Sequence, residues 1–180
     1  MSVRWISVLN GGLQAWQAAG FALESGHRHY PRTDFQAAPP HENWVVVTAE
    51  LAALRDRGCP IIDARSAERF AGVVEPLDPV AGHVPGAVNC PYQRLLGADG
   101  RFLEPSALRT LFEDEFALGD RTEAVAMCGS GVTACHLLLG LHRAGIEGGR
   151  LYAGSWSEWI RDPSRPVASG PEGAATPPAR

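Results

Sequence analysis

A cysteine followed by two nearby glycines lies between an apolar run and a helix-like run. Residues 127–135 read MCGSGVTAC. The stretch begins with the last residue of the apolar run AVAM and ends with the first residue of the helix-like run CHLLLGLHRAG. Gly129 and Gly131 tolerate the positive φ angles that let amides of residues 129–133 turn inward around one sulfur. Such amides lower the pKa of a thiol. We therefore predict that Cys128 is a thiolate nucleophile, the alternative being a structural cysteine beside a glycine turn.

The residues after this loop help to separate two kinds of cysteine chemistry. Val132 and Thr133 are expected to open a helix whose N-terminus favours negative charge. Phosphatases and arsenate reductases built on a cysteine loop place an arginine six positions after the cysteine, where it clamps the oxyanion. Here that position is Ala134, so the sequence disfavours phosphoryl chemistry.

Three further cysteines are predicted to be small core residues. Cys135 lies in an apolar helix-like run, and Cys59 and Cys90 lie beside strand-like runs. No pair has C-x-x-C spacing, so neither a structural metal site nor any cofactor is expected. A thiol redox pair of Cys128 with Cys135 is a weaker option, because Cys135 is expected on the buried side of its helix.

Strand-like and helix-like segments alternate along the main part of the chain. We predict a helix over AELAALRDRG with Thr48 as its cap, and strands at CPIIDAR, AVNCPY, TEAVAM and GRLYAG. SALRTLFEDEFAL and ACHLLLGLHRAG have helical spacing. The pattern predicts an α/β domain with a mainly parallel central sheet flanked by helices, in which ligands bind beyond the carboxyl ends of strands.

Composition limits the classes of partner. The 180-residue chain has a net charge of −4, and its 16 basic residues are all arginine. Without a basic run, nucleic acid is not expected as a partner. No apolar stretch approaches the length of a membrane span and no secretory signal is evident, so we expect no membrane partner and a cytoplasmic location.

Two segments of the chain resemble each other. VLNGGLQAWQAAGFALESG near the N-terminus and RLYAGSWSEWIRDPSRPVASG near the C-terminus each predict a short strand, a glycine turn and a tryptophan-bearing helix. We interpret residues 1–26 as the remnant of a preceding similar domain, although an independent hairpin of strand and helix is an alternative. Residues 27–43 then form a linker, 44–168 the catalytic domain and 169–180 a disordered tail.

Four segments together resemble the rhodanese superfamily, most closely its tandem-domain thiosulfate and 3-mercaptopyruvate sulfurtransferases. They are IIDARSAERFAG, AGHVPGAVNCPY, CGSGVTAC and YAGSWSEW, in that order. The resemblance implies a rhodanese-like fold and sulfur transfer through a persulfide on Cys128. The expected substrates are a small-molecule sulfur donor, thiosulfate or 3-mercaptopyruvate, and a thiol or cyanide acceptor.

The resemblance also implies roles for individual residues. Arg69 matches the arginine that binds the anionic end of the donor, and Asp63 and Arg65 support the loop beneath the site by ion pairing. His83 matches a position that braces the backbone, and Trp156 and Trp159 are expected to pack. The substrate-binding set implied is Arg69 with the loop residues Gly129, Ser130, Gly131, Val132 and Thr133.

Two departures from the family pattern concern the donor. Thiosulfate-type members usually carry a basic residue where Ser130 stands, so Gly-Ser-Gly resembles the mercaptopyruvate-type loop, in which Ser130 could bond the donor or relay a proton. Mercaptopyruvate-type members usually have a second arginine after Arg69, where this chain offers Leu77 and Asp78. The second functional hypothesis is a truncated, weakly active or inactive module that docks partners or relays sulfur through the surface left by the missing domain.

Overall fold

Five parallel strands form one central sheet. The computed structural model describes residues 7–34 and 43–171. Within them the sheet order is β1-β5-β4-β2-β3, and every neighbouring pair is parallel. The strands are β1 (Val45–Val46), β2 (Ile61–Asp63), β3 (Val88–Asn89), β4 (Arg121–Met127) and β5 (Glu147–Tyr152).

Six α-helices in the described residues accompany the sheet, and they confirm the α/β fold class. They are α1 (Gly12–Ala18), α2 (Thr48–Asp56), α3 (Ala67–Phe70), α4 (Pro105–Phe116), α5 (Val132–Arg143) and α6 (Ser155–Trp159), with a 3₁₀ helix at Tyr92–Leu95. No helix in this part of the chain is long and apolar enough to cross a membrane. Pro105 suits the first turn of α4 because its missing N–H has no intrahelical acceptor there.

Alternating residues of β4 supply two hydrophobic clusters. Ala124, Ala126 and then Cys128 belong to the cluster that includes buried residues of α4 and α5. Val125 and Met127 belong to the cluster that includes buried residues of α2 and α6. Because successive side chains of a strand point to opposite faces, the sheet is covered on both sides.

The central strands β2 and β4 create a crevice at their carboxyl ends. The strands β2 and β4 are neighbours in the sheet. The chain continues from β2 to β3 on one side of this pair and from β4 to β5 on the other side. Ligands of open parallel sheets bind at such a switch point, where the outgoing connections diverge. Arg65 and Cys128, which follow these two strands, therefore lie at the same edge.

Two local predictions about elements are wrong. The N-cap of α2 is Val47, which makes no side-chain cap bond. The Thr48 hydroxyl instead lies 2.8 Å from the Tyr152 hydroxyl and also contacts Glu158, because burial of Thr48 turns it towards α6. Residues 7–9 form no strand.

The two similar segments share a turn but differ in burial. Gly12 and Ser155 both begin their helices with a left-handed φ, 59° and 52°. Residues of α6 are buried, whereas α1 buries none. Residues 27–34 contain neither helix nor strand, and the predicted linker and tail extend outside the described residues. The division of the chain into a remnant and a catalytic domain stays a prediction.

Candidate active site

Cys128 lies between β4 and α5 with its sulfur enclosed by backbone amides. The side chain is 2% exposed. The amide of Gly131 donates a hydrogen bond to Cys128 Sγ at 3.1 Å. The prediction that α5 opens at Val132 is confirmed. The loop therefore directs N–H groups and the positive end of a twelve-residue helix at one sulfur atom.

Two opposing effects set the pKa of this thiol. Burial of Cys128 acts most strongly and by itself would raise the pKa. Hydrogen bonds from the Thr133 side chain and from the amides of Ala134, Ser130 and Thr133 outweigh it together and lower the pKa. The loop therefore shifts the Cys128 thiol towards its thiolate form, relative to an ordinary cysteine.

The two loop glycines have different surroundings. Gly131 has a φ of 85°, and a Cβ on it would lie 2.8 Å from the carbonyl oxygen of Ala153. The expectation that Gly129 also adopts a positive φ is wrong. Gly129 instead lies next to the Arg69 guanidinium, and a Cβ there would lie 3.4 Å from Arg69 Nη2, an ordinary van der Waals distance. A close backbone approach and a left-handed φ therefore require glycine at position 131.

A cavity of about 280 Å³ opens in front of Cys128. Its lining brings together most of the predicted substrate-binding residues and adds three that the sequence did not assign to binding. It is lined by Arg69, Leu77, Asp78, Cys128, Gly129, Ser130, Val132, Thr133 and Ser157. Gly131, Asp63 and Arg65 lie outside this lining.

Arg69 reaches the cavity already paired with two carboxylates. Its Nε and Nη2 contact Glu75 Oε1 at 3.0 and 2.7 Å, and its Nη2 lies 3.3 Å from Asp78 Oδ2. Burial of Glu75 would raise its pKa, but bonds from Arg69 and from the amides of Leu77 and Asp78 together lower it. Glu75 therefore balances the charge of the arginine as a carboxylate.

A buried ion pair joins Asp63 and Arg65. Arg65 donates to both carboxylate oxygens of Asp63, at 2.7 to 3.1 Å, and to the carbonyl oxygen of Gly82 at 2.8 Å. Its guanidinium carbon lies 4.8 Å from the centre of the Trp156 ring. Arg65 Nη1 also lies 3.3 Å from Glu75, which links this pair to Arg69. Asp63 and Arg65 thus form the expected ion pair, and their role in supporting the loop stays a prediction.

Two serines of α6 hold the cysteine loop in place, and sequence reasoning missed both. Ser155 accepts from the Cys128 amide at 3.1 Å and donates to the Tyr152 carbonyl. Ser157 lies 2.7 Å from Asp78 Oδ1 and 2.8 Å from the Gly129 carbonyl. The available signal was the motif YAGSWSEW itself, in which the two serines alternate with the tryptophans.

The expected structural side chains are buried as predicted. His83 is 1% exposed, bonds the Phe70 carbonyl through Nδ1 at 2.8 Å and exchanges backbone hydrogen bonds with Ala168. Trp156 and Trp159 pack in the core, and their indole N–H groups bond the carbonyls of Val80 and Pro166.

The remaining thiols divide between core and surface. Cys90 is buried, and burial raises its pKa to about 12; Cys59 is half-buried, and burial raises its pKa to about 11. The prediction that Cys135 is a core residue is wrong, because Cys135 is exposed. The buried face of α5 instead passes through Ala134, Leu137 and Leu141. Cys135 lies outside the cavity lining.

The chain is similar to proteins with a rhodanese-like domain, whose family model matches residues 47–162. A probable 3-mercaptopyruvate sulfurtransferase of Pseudomonas aeruginosa is 49% identical over 92% of this chain and 58% of its own length. The 3-mercaptopyruvate sulfurtransferase of Escherichia coli is 39% identical over 92% and 59%. The thiosulfate sulfurtransferase of Rattus norvegicus is 32% identical over 96% and 59%. The chain thus spans less than two thirds of the curated relatives it matches.

Solved structures show the same fold. The Tum1 protein from Saccharomyces cerevisiae superposes with a TM-score of 0.75 and 26% identity, over 88% of this chain and 59% of its own. An anaerobic ergothioneine biosynthesis enzyme from Chlorobium limicola gives a TM-score of 0.79 at 22% identity, over 90% and 41%. The second likeness concerns the fold alone.

Proposed function

The chain belongs to the rhodanese-like domain family, and from that membership we propose that it is a sulfurtransferase with Cys128 as its nucleophile. The proposal is supported by the sulfurtransferase names of its relatives. The observation that carries it is the low-pKa sulfur of Cys128, held by amides at the wall of a cavity that also contains Arg69.

With thiosulfate, the first half-reaction is a displacement at the outer sulfur. The Cys128 thiolate attacks that sulfur, a new S–S bond forms, and the S–S bond of thiosulfate breaks. Sulfite leaves with the electron pair, so the cysteine becomes a persulfide anion and total charge is conserved. The loop amides that surround Cys128 Sγ stabilise the anion both before and after transfer.

With 3-mercaptopyruvate, the transferred atom is the thiol sulfur. Attack by Cys128 breaks the carbon–sulfur bond, and the electron pair goes to carbon as the enolate of pyruvate. The enolate takes up the proton that the thiol sulfur carried, leaving pyruvate and the persulfide anion. Ser130 lies in the cavity lining, where its hydroxyl can bond the donor or relay this proton.

The second half-reaction returns the enzyme to its starting state. Cyanide or a thiolate attacks the outer sulfur of the persulfide, the S–S bond breaks, and Cys128 leaves as a thiolate. The products are thiocyanate or a new persulfide. We propose a cytoplasmic setting for this chemistry, where thiol acceptors are kept reduced.

The test is the mass of the folded, reduced protein after incubation with either donor and then with cyanide. We expect Cys128 to gain the mass of one sulfur atom with a donor and to lose it with cyanide. A protein whose mass is unchanged by both donors would end the proposal.

A second candidate function is a docking or sulfur-relay module with little turnover of its own. It is favoured by the exposed apolar side chains of Val8, Leu9, Leu13, Phe21 and Leu23, which are each more than half exposed. Isolated apolar side chains on a surface are ordinary, but a group within one short segment marks an interaction surface. Residues 7–26 are the proposed contact surface, and the solution mass of the protein tests it.

A further inference from the structure

We propose that Asp78 sets the charge selectivity of the cavity, opposing dianionic sulfur donors and favouring donors with a single negative charge. The inference rests on the proposed sulfurtransferase function and concerns the substrate class of the same site. Asp78 lines the cavity together with Arg69, Ser157 and Cys128, and its two carboxylate oxygens contact Arg69 and Ser157, so its charge lies at the wall of the space that a donor must enter.

Asp78 is held in this position from both of its oxygens. Its Oδ2 lies 3.3 Å from Arg69 Nη2, and its Oδ1 accepts a hydrogen bond from the Ser157 hydroxyl at 2.7 Å. The side chain is 10% exposed. Ser157 also lies 2.8 Å from the carbonyl oxygen of Gly129, next to the nucleophile. The carboxylate is therefore a fixed part of the cavity wall.

The carboxylates paired with Arg69 and Arg65 leave no surplus positive charge beside the cavity for an anionic donor. Arg69 pairs with Glu75 and Asp78, and Arg65 pairs with Asp63 and Glu75. Two guanidinium groups thus face three carboxylates, and the cluster is negative even before the Cys128 thiolate is counted. Ser130 adds no positive charge on the opposite side.

Coulomb repulsion from Asp78 grows in proportion to the charge of the incoming donor. A dianion such as thiosulfate experiences twice the repulsion of a monoanion placed at the same point. The loop amides and the helix N-terminus also attract a dianion more strongly, but they are the same in the wild type and in an Asp78 variant, so their contribution cancels when the two proteins are compared. Removing only the Asp78 charge should therefore improve a dianionic donor more than a monoanionic one.

The experiment compares thiosulfate with methanethiosulfonate. Each donor transfers a terminal sulfur atom, but thiosulfate carries one more negative charge. Asp78→Asn keeps an acceptor for Ser157 and removes the charge. At low ionic strength, we expect the second-order rate constant for sulfur loading of Cys128 to rise about threefold with methanethiosulfonate and about tenfold with thiosulfate.

Asp162→Asn is the matched control. Asp162 also accepts from a serine hydroxyl, that of Ser164 at 2.6 Å, and faces Arg165 at 3.6 Å, but it lies outside the cavity lining. Loading of this variant should equal the wild type with both donors. An Asp78→Asn variant whose rate constants are unchanged, or change by one common factor, overturns the selectivity role.

A binding measurement separates this inference from the proposed function. Sulfate and methanesulfonate are a dianion and a monoanion without a transferable sulfur, and their binding can be followed by NMR titration. Asp78→Asn should strengthen sulfate binding more than methanesulfonate binding even if Cys128 never accepts sulfur. Equal changes for the two anions would refute the role of Asp78, whereas an unloaded wild type refutes the sulfurtransferase proposal alone.

Discussion

At the scale of the residue, the pKa of Cys128 depends on hydrogen bonds that lower it by more than burial raises it. A cysteine that is 2% exposed would ordinarily be an inert thiol. The Thr133 side chain and the surrounding amides reverse this and lower the pKa. The thiolate form is thus a property of the loop and of the first turn of α5, and it is open to test by pH.

The alkylation rate of Cys128 by iodoacetamide should follow this lowered pKa. The rate should be constant above the pKa and fall as the pH falls through it, because only the thiolate reacts. Thr133→Val removes the hydroxyl and should move the midpoint to higher pH, whereas Thr133→Ser should preserve it. Fragment-ion sequencing of the peptide that contains both thiols distinguishes alkylation of Cys128 from alkylation of exposed Cys135.

Equal midpoints for the wild type and Thr133→Val would contradict this explanation of the pKa. Cys90 is an internal control, because burial raises its pKa to about 12 and it should stay unmodified at neutral pH. A depressed folded-state pKa also makes the Cys128 thiolate stabilising above its unfolded pKa, and that stability is lost as the pH falls through the folded value.

At the scale of the element, the site depends on how α5 begins. Gly131 and Gly145 flank α5 with φ angles of 85° and 73°, but their surroundings differ. A Cβ at Gly131 would lie 2.8 Å from the Ala153 carbonyl oxygen, whereas nothing lies within 4 Å of a Cβ at Gly145. Alanine substitutions at these two positions therefore separate the free-energy cost of a left-handed backbone from the free-energy cost of a close contact.

Gly145→Ala should lower the free energy of unfolding by about 1–2 kcal/mol, the cost of a left-handed alanine, and leave sulfur loading intact. Gly131→Ala should cost more than that and greatly reduce loading, since the loop must shift away from the Ala153 carbonyl. Denaturant unfolding and intact mass measure the two effects. Equal destabilisation with normal loading in both variants would show that the loop does not need this close approach.

The sheet and helix α5 illustrate which features of the elements the sequence could predict and which it could not. The alternation of strands and helices predicted the sheet, and the loop spacing predicted the start of α5 at Val132. The rotation of α5 was not predictable, because CHLLLGL is apolar on nearly every side. Burial of Ala134 and Leu137 fixes it and turns Cys135 to solvent.

The cavity wall was less predictable than the position of Cys128 between β4 and α5. Asp78 and Ser157 meet only because the segment after α3 folds against α6. Contacts between residues about 80 positions apart leave no local periodicity to detect. The family resemblance pointed to Arg69. That Arg69 forms ion pairs with Glu75 and Asp78 could be seen only in the structure.

At the scale of the whole molecule, residues 7–34 lie apart from the two hydrophobic clusters. Helix α1 buries no residue. Just before this helix, Asn10 Oδ1 accepts a hydrogen bond from the Phe102 amide at 2.9 Å, and Gly11 lies near Arg101. The apolar side chains of this segment therefore remain available to another protein surface.

If residues 7–26 form a contact surface, the protein should associate in solution above its chain mass of 19.2 kDa. Light scattering coupled to gel filtration measures this mass. Leu13→Ser combined with Phe21→Ser should restore the monomer, while Val73→Ser, at an exposed valine outside the segment, should not. A monomeric wild type with full sulfur transfer would contradict the docking function.

The account depends most directly on whether Cys128 carries sulfur. The deciding measurement is the intact mass of the reduced, folded protein after incubation with thiosulfate or 3-mercaptopyruvate, made on the wild type, Cys128→Ser and Cys135→Ser. We predict that the wild type and Cys135→Ser gain one sulfur atom with at least one donor and that Cys128→Ser gains none. A wild type that gains no sulfur from either donor, or a Cys128→Ser protein that still gains it, would contradict the account.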